Sequence, residues 1–270
     1  MRLSVIIISH GHAAMLPDCL AALMPALAGI DAEILLRDNL PDGGVERLLR
    51  PAFPTLRYHT NTRPAGLSEN MNQAAADAAG DFLLFLNPDT VYAGGDLAKA
   101  LAWLGDREDV GVLGCRLLNA DGSVQHSFRR FPTLPVILGR GLGADRWPWQ
   151  PAFYRWRMML DERPEQTTPV DWVFGAFMLI RRRHFDAVGG MDPAFRLYYE
   201  DVDLCYRLRR HGLQVVLYPA LRFHHRHMRS SAANPFGRAW RWHLASALRF
   251  LRKHGYALRP PEPKPSGLSR

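Results

Sequence analysis

The sequence is poor in cysteine and has no long apolar run. Its three cysteines, Cys19, Cys115 and Cys205, are far apart and odd in number, with no CxxC or other metal-ligand spacing. That excludes a disulfide framework and a thiolate zinc site, and leaves buried thiols. The longest apolar run, Val173 to Ile180, is far short of the ~18 residues a spanning helix needs. Met1 to Ser9 has a short apolar core but no small-residue cleavage site, so it reads as a strand and not a signal peptide, and a cytoplasmic protein is expected. Ser9-His10-Gly11-His12 lacks the GxGxxG phosphate turn, which argues against a dinucleotide oxidoreductase. The last absence is of one sign of charge. From Leu204 through Pro261 there is no Asp or Glu, while Arg207, Arg209, Arg210, Arg222, Arg226, Arg229, Arg238, Arg241, Arg249, Arg252, Lys253 and Arg259 all fall there. Partners for such a stretch are nucleic acid, anionic lipid or a polyphosphorylated ligand.

What is present is ordinary for a globular chain: 270 residues, 47% hydrophobic and 22% charged, with a formal net charge of +8. A chain of this size buries its own core. Leu3 to Ser9 predicts a strand buried on both faces, followed by a helix from about Met15 to Ala28. Ile34 to Asp38 is a second strand ending in an acid, and Leu56 to Tyr58 a short edge strand. Gly66 to Gln73 opens an Ala-rich helix to about Ala79, with Ser68 as N-cap and Gly80 as C-cap. Phe82 to Leu86 is a central strand stopped by Pro88 that delivers Asp89 at its tip, where an open α/β sheet binds ligands. As a residue type Asp89 is equally an Asx-turn former or a helix N-cap. A helix from about Asp96 to Leu104 follows. Strand and helix alternate, which specifies a parallel sheet with right-handed crossovers.

Past Val110 the pattern changes. Gly111 to Leu117 is a strand, Asn119-Ala120-Asp121-Gly122-Ser123 a hairpin-like turn, and Val124 to Phe128 the returning strand. Arg129 to Arg163 shows no clear period, with Pro132, Pro135, Pro148 and Pro151 punctuating a Trp- and Arg-rich insert, as in a functional or mobile loop. Val170 to Ile180 is β-rich around Gly175-Ala176, Arg183 to Val188 a short helix, and Glu200 to Arg210 a helix with acids first and arginines last. Gln214 to Tyr218 and Leu221 to His225 are the last strands.

The chemistry is carried by acids at strand or helix ends, Asp38, Asp89 and Asp201, and by the late cluster His224-His225-Arg226-His227. A cation that binds a pyrophosphate needs hard oxygen ligands, open positions for phosphate oxygens and at most one imidazole, which Asp89 and one of these histidines provide. Against this stand plainer readings, a solvated His run and an acid-rich helix start.

The order of the motifs favours the chemical reading. Ser4 to Ser9, Asp38-Asn39, Gly66 to Asn72, Leu86-Asn87-Pro88-Asp89-Thr90, Gly175-Ala176, Gly189-Gly190-Met191-Asp192 and Tyr199-Glu200-Asp201-Val202-Asp203-Leu204-Cys205 together resemble a family 2 inverting glycosyltransferase, from Ser4 to about Ser231. Leu117 to Gln125 followed by Arg129-Arg130-Phe131-Pro132-Thr133 resembles the rhamnosyltransferase-like branch that builds bacterial surface polysaccharides. The resemblance implies a GT-A fold, a Rossmann-like, mostly parallel α/β sheet flanked by helices, with a basic helical tail. It implies a glycosyltransferase domain over 1–232, divided into a nucleotide-sugar half (1–110) and an acceptor half (111–232), with the basic amphipathic helix and tail over 233–270. Residue by residue, Asp38 contacts the base or ribose of a nucleoside diphosphate sugar beside Ser9 and His10, with Gly66, Asn72 and Asn87 in the same binding set. Asp89 and His225 hold Mg²⁺ or Mn²⁺, with His224 and His227 as alternatives to His225. Asp201 is the general base on the acceptor hydroxyl, and Glu200 orients the acceptor or starts the helix. The usual glycines after the late histidine are absent, Asn87 stands for the first acid of the common motif, and Leu40-Pro41 departs from the usual turn.

The expected partners are therefore a nucleoside diphosphate sugar, with dTDP-rhamnose first, and a glycan or lipid-linked acceptor. On a helical wheel Arg238, Arg241, Arg249, Arg252 and Lys253 share one face, opposite Trp240, Leu244, Ala247, Leu248 and Leu251. This helix either packs its apolar face on the domain or lies on an anionic membrane surface, peripheral to the inner face of the cell membrane. A nucleic-acid-binding module leaves the strand-end acids facing phosphates without purpose, so no nucleic acid is expected. A non-catalytic nucleotide-sugar-binding relative needs Asp38 and Asp89 but not Asp201.

Overall fold

A computed structural model describes residues 1–42, 44–226, 237–256 and 258. The strands β1 (Leu3–Ser9), β2 (Ala32–Asp38), β3 (Arg57–Thr60) and β4 (Phe82–Leu86) form a parallel half-sheet in the order β3-β2-β1-β4. Helices α1 (Leu16–Ala26), α2 (Gly44–Leu49) and α3 (Leu67–Asp77) connect them. The alternation ends after β4. A strand absent from the sequence reading, β5 (Thr90–Gly94), comes directly after Asp89, ahead of α4 (Leu97–Gly105), whose N-cap Asp96 accepts from the Lys99 N–H at 2.9 Å. The second half is mixed: β6 (Val110–Leu118), β7 (Val124–Gln125) hairpinned on it, β8 (Phe128–Arg129), β9 (Thr168–Val170), β10 (Trp172–Val173), β11 (Phe177–Arg181) and β12 (Gln214–His225). β11 runs antiparallel to both β4 and β6, β12 runs parallel to β6 and antiparallel to β5, and β8 and β10 form a separate ribbon. The sheet is thus parallel in its first half and mixed in its second, as a mostly parallel sheet has it, because β11 enters from the insert rather than from a crossover helix.

Alternation along β1 divides the core. Val5 and Ile7 face a layer with α1 and α4, while Ile6 and Ile8 face one that includes residues of α3, α8 (Glu200–Arg210) and α9 (Arg238–His254). Between α4 and α8 in the chain come α5 (Leu134–Gly141), a 3-10 turn at Ala144–Arg146, α6 (Ala152–Met158) and α7 (Arg182–Ala187).

Several local expectations change. The segment 129–163 is not irregular: Pro135 sits in the first turn of α5 and Pro151 is the N-cap of α6, so prolines read as punctuation start helices. Ser68 is not the N-cap of α3; that place belongs to Gly66, and Ser68 Oγ donates to the Phe195 carbonyl at 2.6 Å. Gly80 caps no helix. It lets the chain pass Ser4, whose backbone N would lie 2.6 Å from a Cβ there. The two last strands are one, β12, irregular between Tyr218 and Arg222. The three cysteines are free and buried. On α9, Ala247, Phe250 and Leu251 are buried against the body, while Leu248, expected on the apolar face, is exposed. Gly43, the 227–236 segment with His227 and Arg229, and the tail 259–270 lie outside the described residues.

Candidate active site

The carboxyl ends of β1, β2 and β4 lie side by side, with Ser9 in register with Asp38 and Ile7 with Leu86. Ser9 and Asp38 are buried, and among the described residues both Ser9 Oγ and Asp38 Oδ2 lack a partner, while Asp38 Oδ1 accepts the Leu40 N–H at 3.3 Å. Burial pushes the Asp38 carboxyl above its ordinary range. Two adjacent buried acceptors without donors fit a ligand that brings its own, such as a base N–H or a ribose hydroxyl. Asn39 fixes the rim: it bonds His10 Nδ1 at 3.1 Å and both backbone groups of Ala65, which brings Gly66 to this edge. Asn72 is not available there. Its amide donates to the Met191 carbonyl at 2.7 Å and accepts the Met191 N–H at 2.8 Å.

Past β4 the chain turns through Asn87-Pro88-Asp89, with the Thr90 N–H donating to the Asn87 carbonyl at 3.2 Å, and the Asn87 N–H donates to Ala176 across β11 at 3.0 Å. Asp89 is therefore a turn residue at the carboxyl end of β4. β5 pairs with β12, Thr90 against His225, and this puts His225 Nε2 3.5 Å from Asp89 Oδ2. His224 points elsewhere, its Nδ1 3.0 Å from the Asn119 carbonyl. The His225 ring is oriented by a relay. Gln125 Nε2 donates to Asn119 Oδ1 at 3.1 Å, so Gln125 Oε1 accepts from His225 Nδ1–H at 2.7 Å. That leaves the Nε2 lone pair facing the Asp89 carboxylate. Burial lowers the His225 pKa, and Asp89 opposes it. A carboxylate and a neutral imidazole held this way are the donor set that a hard divalent cation sharing its other positions with phosphate oxygens would take. Among the described residues no cluster of three or more His, Cys, Asp or Glu ligands occurs, so such an ion would draw its other ligands from substrate and water.

Two residues missed in the sequence belong here. His12 feels the Asp89 charge, and its Nδ1 accepts the His10 N–H at 3.0 Å, leaving the proton on Nε2. Gln125 was read only as part of a motif; its signal was the turn Asn119 to Ser123, which returns the chain across β6.

The third group stands at the start of α8. Tyr198 and Tyr199 both have left-handed backbones, φ 67° and 66°, a strain of roughly 1–2 kcal/mol per residue that points Glu200 and Asp201 inward. Gly175, between β10 and β11, donates its N–H to Asp201 Oδ2 at 2.9 Å, and Val202 donates to Oδ1 at 2.8 Å. Glu200 is buried with Oε2 unpartnered, and burial together with the Asp201 charge pushes its pKa up to about 8. Asp201 is also raised by burial, against the two N–H donors and the Arg129 charge. The backbone donors favour the ionised form of Asp201, so Glu200 is the member that keeps a proton.

A family profile described as "Glycosyltransferase like family 2" matches residues 2–245. The rhamnosyltransferase WbbL of Escherichia coli is 30% identical over 259 residues, 92% of this chain and 91% of that protein. The N-acetylglucosaminyl-diphospho-decaprenol L-rhamnosyltransferase of Mycobacterium tuberculosis is 30% identical over 244 residues, 84% of this chain and 77% of that protein. Among solved structures, GalNAc-T7 with UDP, GalNAc and Mn²⁺ superposes with a TM-score of 0.65 at 18% identity over 93% of this chain, which spans 48% of that one. The mannosyltransferase PcManGT of Pyrobaculum calidifontis, with GDP-Man and Mn²⁺, gives 0.62 at 17% identity, over 97% of this chain and 67% of that one. Both have the GT-A fold.

Proposed function

The chain belongs to the family 2 glycosyltransferases, and on that premise we propose that it transfers a sugar, L-rhamnose first, from a nucleoside diphosphate donor to a hydroxyl of a glycan or lipid-linked acceptor in surface polysaccharide synthesis. The observation that carries the reading is the convergence of three groups on one sheet edge: the orphan acceptors of Ser9 and Asp38, the Asp89–His225 pair, and the Glu200–Asp201 pair.

Ser9 and Asp38 take the nucleoside, with Asn39, His10 and Gly66 forming the rim and Asn87 beside it. Asp89 and His225 would hold Mg²⁺ or Mn²⁺, which would supply positive charge against the departing diphosphate. His12, whose Nδ1 is taken by the His10 N–H, has its Nε2–H to offer the same phosphates. Asp201, held by Gly175 and Val202, takes the acceptor hydroxyl's proton as that oxygen attacks the anomeric carbon opposite the diphosphate, which inverts its configuration. Glu200, protonated, keeps a second negative charge from crowding the base. The exposed Arg241, Arg249 and Arg252 of α9 supply an anionic membrane contact where a lipid-linked acceptor resides.

Thermal shift with a panel of nucleotide sugars, with and without Mn²⁺, tests the donor and cation together. The expected result is stabilisation by one nucleotide sugar that needs the cation and is lost in Asp89→Ala. Transfer at full rate in excess EDTA would contradict it.

A further inference from the structure

Arg129, in a motif to which no chemistry has yet been assigned, lies on β8 opposite Trp172 of β10. Its guanidinium is 5.0 Å from the Phe174 ring centroid and 5.7 Å from that of Trp172, and these two rings stack on each other at 5.4 Å. Among the described residues its side chain makes no hydrogen bond and no ion pair, and Nε is buried without a partner. A half-buried guanidinium laid against ring faces, with no ion pair and only the more distant Asp145 charge acting in its favour, is a poorly balanced cation, and burial drags its pKa down to about 9.

A second cation adds to the imbalance. The Arg140 charge on α5 acts on Arg129, and both act on Tyr199 and His243, the aromatic wall beside the base. The carboxylate that faces Arg140 is Asp145, 3.5 Å from its Nε, and Asp145 already accepts the Tyr154 hydroxyl. The acids of α8 do not settle the account. Asp201 spends its oxygens on Gly175 and Val202, Glu200 is held toward its neutral form, and neither makes an ion pair with Arg129. Position along the chain links this cation to the base: the ring of Phe174 lies against Arg129, and the next residue, Gly175, is the one that holds Asp201. The Asp89 charge, by contrast, acts on His12, Cys19 and His225.

We propose that Arg129, with Arg140 beside it, forms an anion site on the acceptor side of the base, which takes a phosphate or diphosphate group carried by the acceptor and so presents the acceptor sugar to Asp201. The inference rests on the transferase reading. A planar guanidinium laid on two stacked rings has its rotamer fixed in advance and offers its remaining N–H groups as a fork to phosphate oxygens. The donor's diphosphate belongs with Asp89 and His225, so the acceptor is the remaining source of an anion near Asp201.

Equilibrium binding tests this without turnover, using an alkyl-diphosphate-linked N-acetylhexosamine, the matching uncharged alkyl glycoside, inorganic pyrophosphate and the nucleotide sugar. The parent should bind the diphosphate-linked ligand more tightly than the glycoside. Arg129→Gln and Arg140→Gln should each reduce that preference by about 10- to 100-fold, the usual cost of a lost hydrogen bond to a charged group, and leave nucleotide-sugar affinity as in the parent. Arg183→Gln, at an exposed position of α7 with no role in the proposed site, serves as the control. Arg129→Met should hold or raise the unfolding temperature, because it removes an unbalanced cation and keeps the apolar contact. An unchanged preference, a parallel loss of nucleotide-sugar affinity, pyrophosphate binding as tight as that of the diphosphate-linked sugar, or a fall in unfolding temperature in Arg129→Met would each overturn the assignment. If the parent binds as expected and yet transfers no sugar, the transferase reading fails while the anion site stands.

Discussion

Asp201 and Glu200 are neighbours in sequence with opposite assignments, and their surroundings explain why. Asp201 receives two backbone N–H groups, whereas one Glu200 oxygen is buried with no donor among the described residues. Asp201→Asn should therefore keep donor and cation affinity while lowering transfer by about 10²-fold or more, the range for loss of a general base. Burial raises both carboxyls, so the acid limb of the pH–rate profile should lie above the ordinary carboxylate range, and Glu200→Gln should leave that limb in place because Glu200 is already uncharged while Asp201 titrates. Stability follows the same sign. Groups raised in the folded state bind more protons there than in the unfolded chain, so their contribution declines as pH rises from about 4.5 toward about 8, and Glu200→Gln should flatten that decline in denaturant titrations. Asp38, Asp89, His225 and Asp201 were legible because a strand end or helix start marks each. Arg129, His12 and Gln125 were not, since each acquires its meaning from a partner far away in the chain.

Among the elements, α8 was read from Glu200 to Arg210, the bounds it has, because acids and arginines sit at the ends the helix dipole favours. α5 and α6 were missed because each is about two turns long and begins at a proline. The contact between α8 and α9 also lay beyond sequence reasoning. Asp203, fully buried, accepts from Lys253 Nζ at 2.7 Å, His254 Nε2 at 2.8 Å and Arg207 Nε at 2.7 Å, and Lys253 also reaches Asp192. Lys253 thus leaves the basic face expected for it and clamps α9 to the body. Asp203→Ala removes the shared acceptor of Arg207, Lys253 and His254, leaves Lys253 only Asp192, and should cost about 3 kcal/mol in urea unfolding. These partners hold the Asp203 carboxyl below its ordinary range, so the clamp's contribution is complete above about pH 4 and is lost as pH falls through the depressed value.

For the whole molecule, the amphipathic helix of the sequence keeps its packing role, with Ala247 and Phe250 fully buried, and still shows solvent the basic side chains of Arg241, Arg249 and Arg252. Among the described residues no helix is long and apolar enough to cross a membrane. Exposed large apolar side chains gather instead on the insert, at Leu138, Leu142, Trp147, Trp149, Phe153 and Trp156. At ~1 kcal/mol for each basic residue near an anionic surface, reversing the three α9 arginines to glutamate should weaken binding to phosphatidylglycerol vesicles by on the order of 100-fold. Equal sedimentation of variant and parent would remove α9 from any membrane contact. The sheet's first half was legible from alternating buried strands and helices. Its second half was not, because β5 and β11 join without a crossover helix to announce their direction.

The claim on which the account turns is a single displacement, with Asp201 activating the acceptor on the face opposite the leaving diphosphate. Proton NMR of the glycosidic product, formed by the purified protein from the nucleotide sugar that stabilises it and a defined acceptor, reads the anomeric configuration directly. The account predicts the configuration opposite to the donor's, and a product with the donor's configuration retained would contradict it.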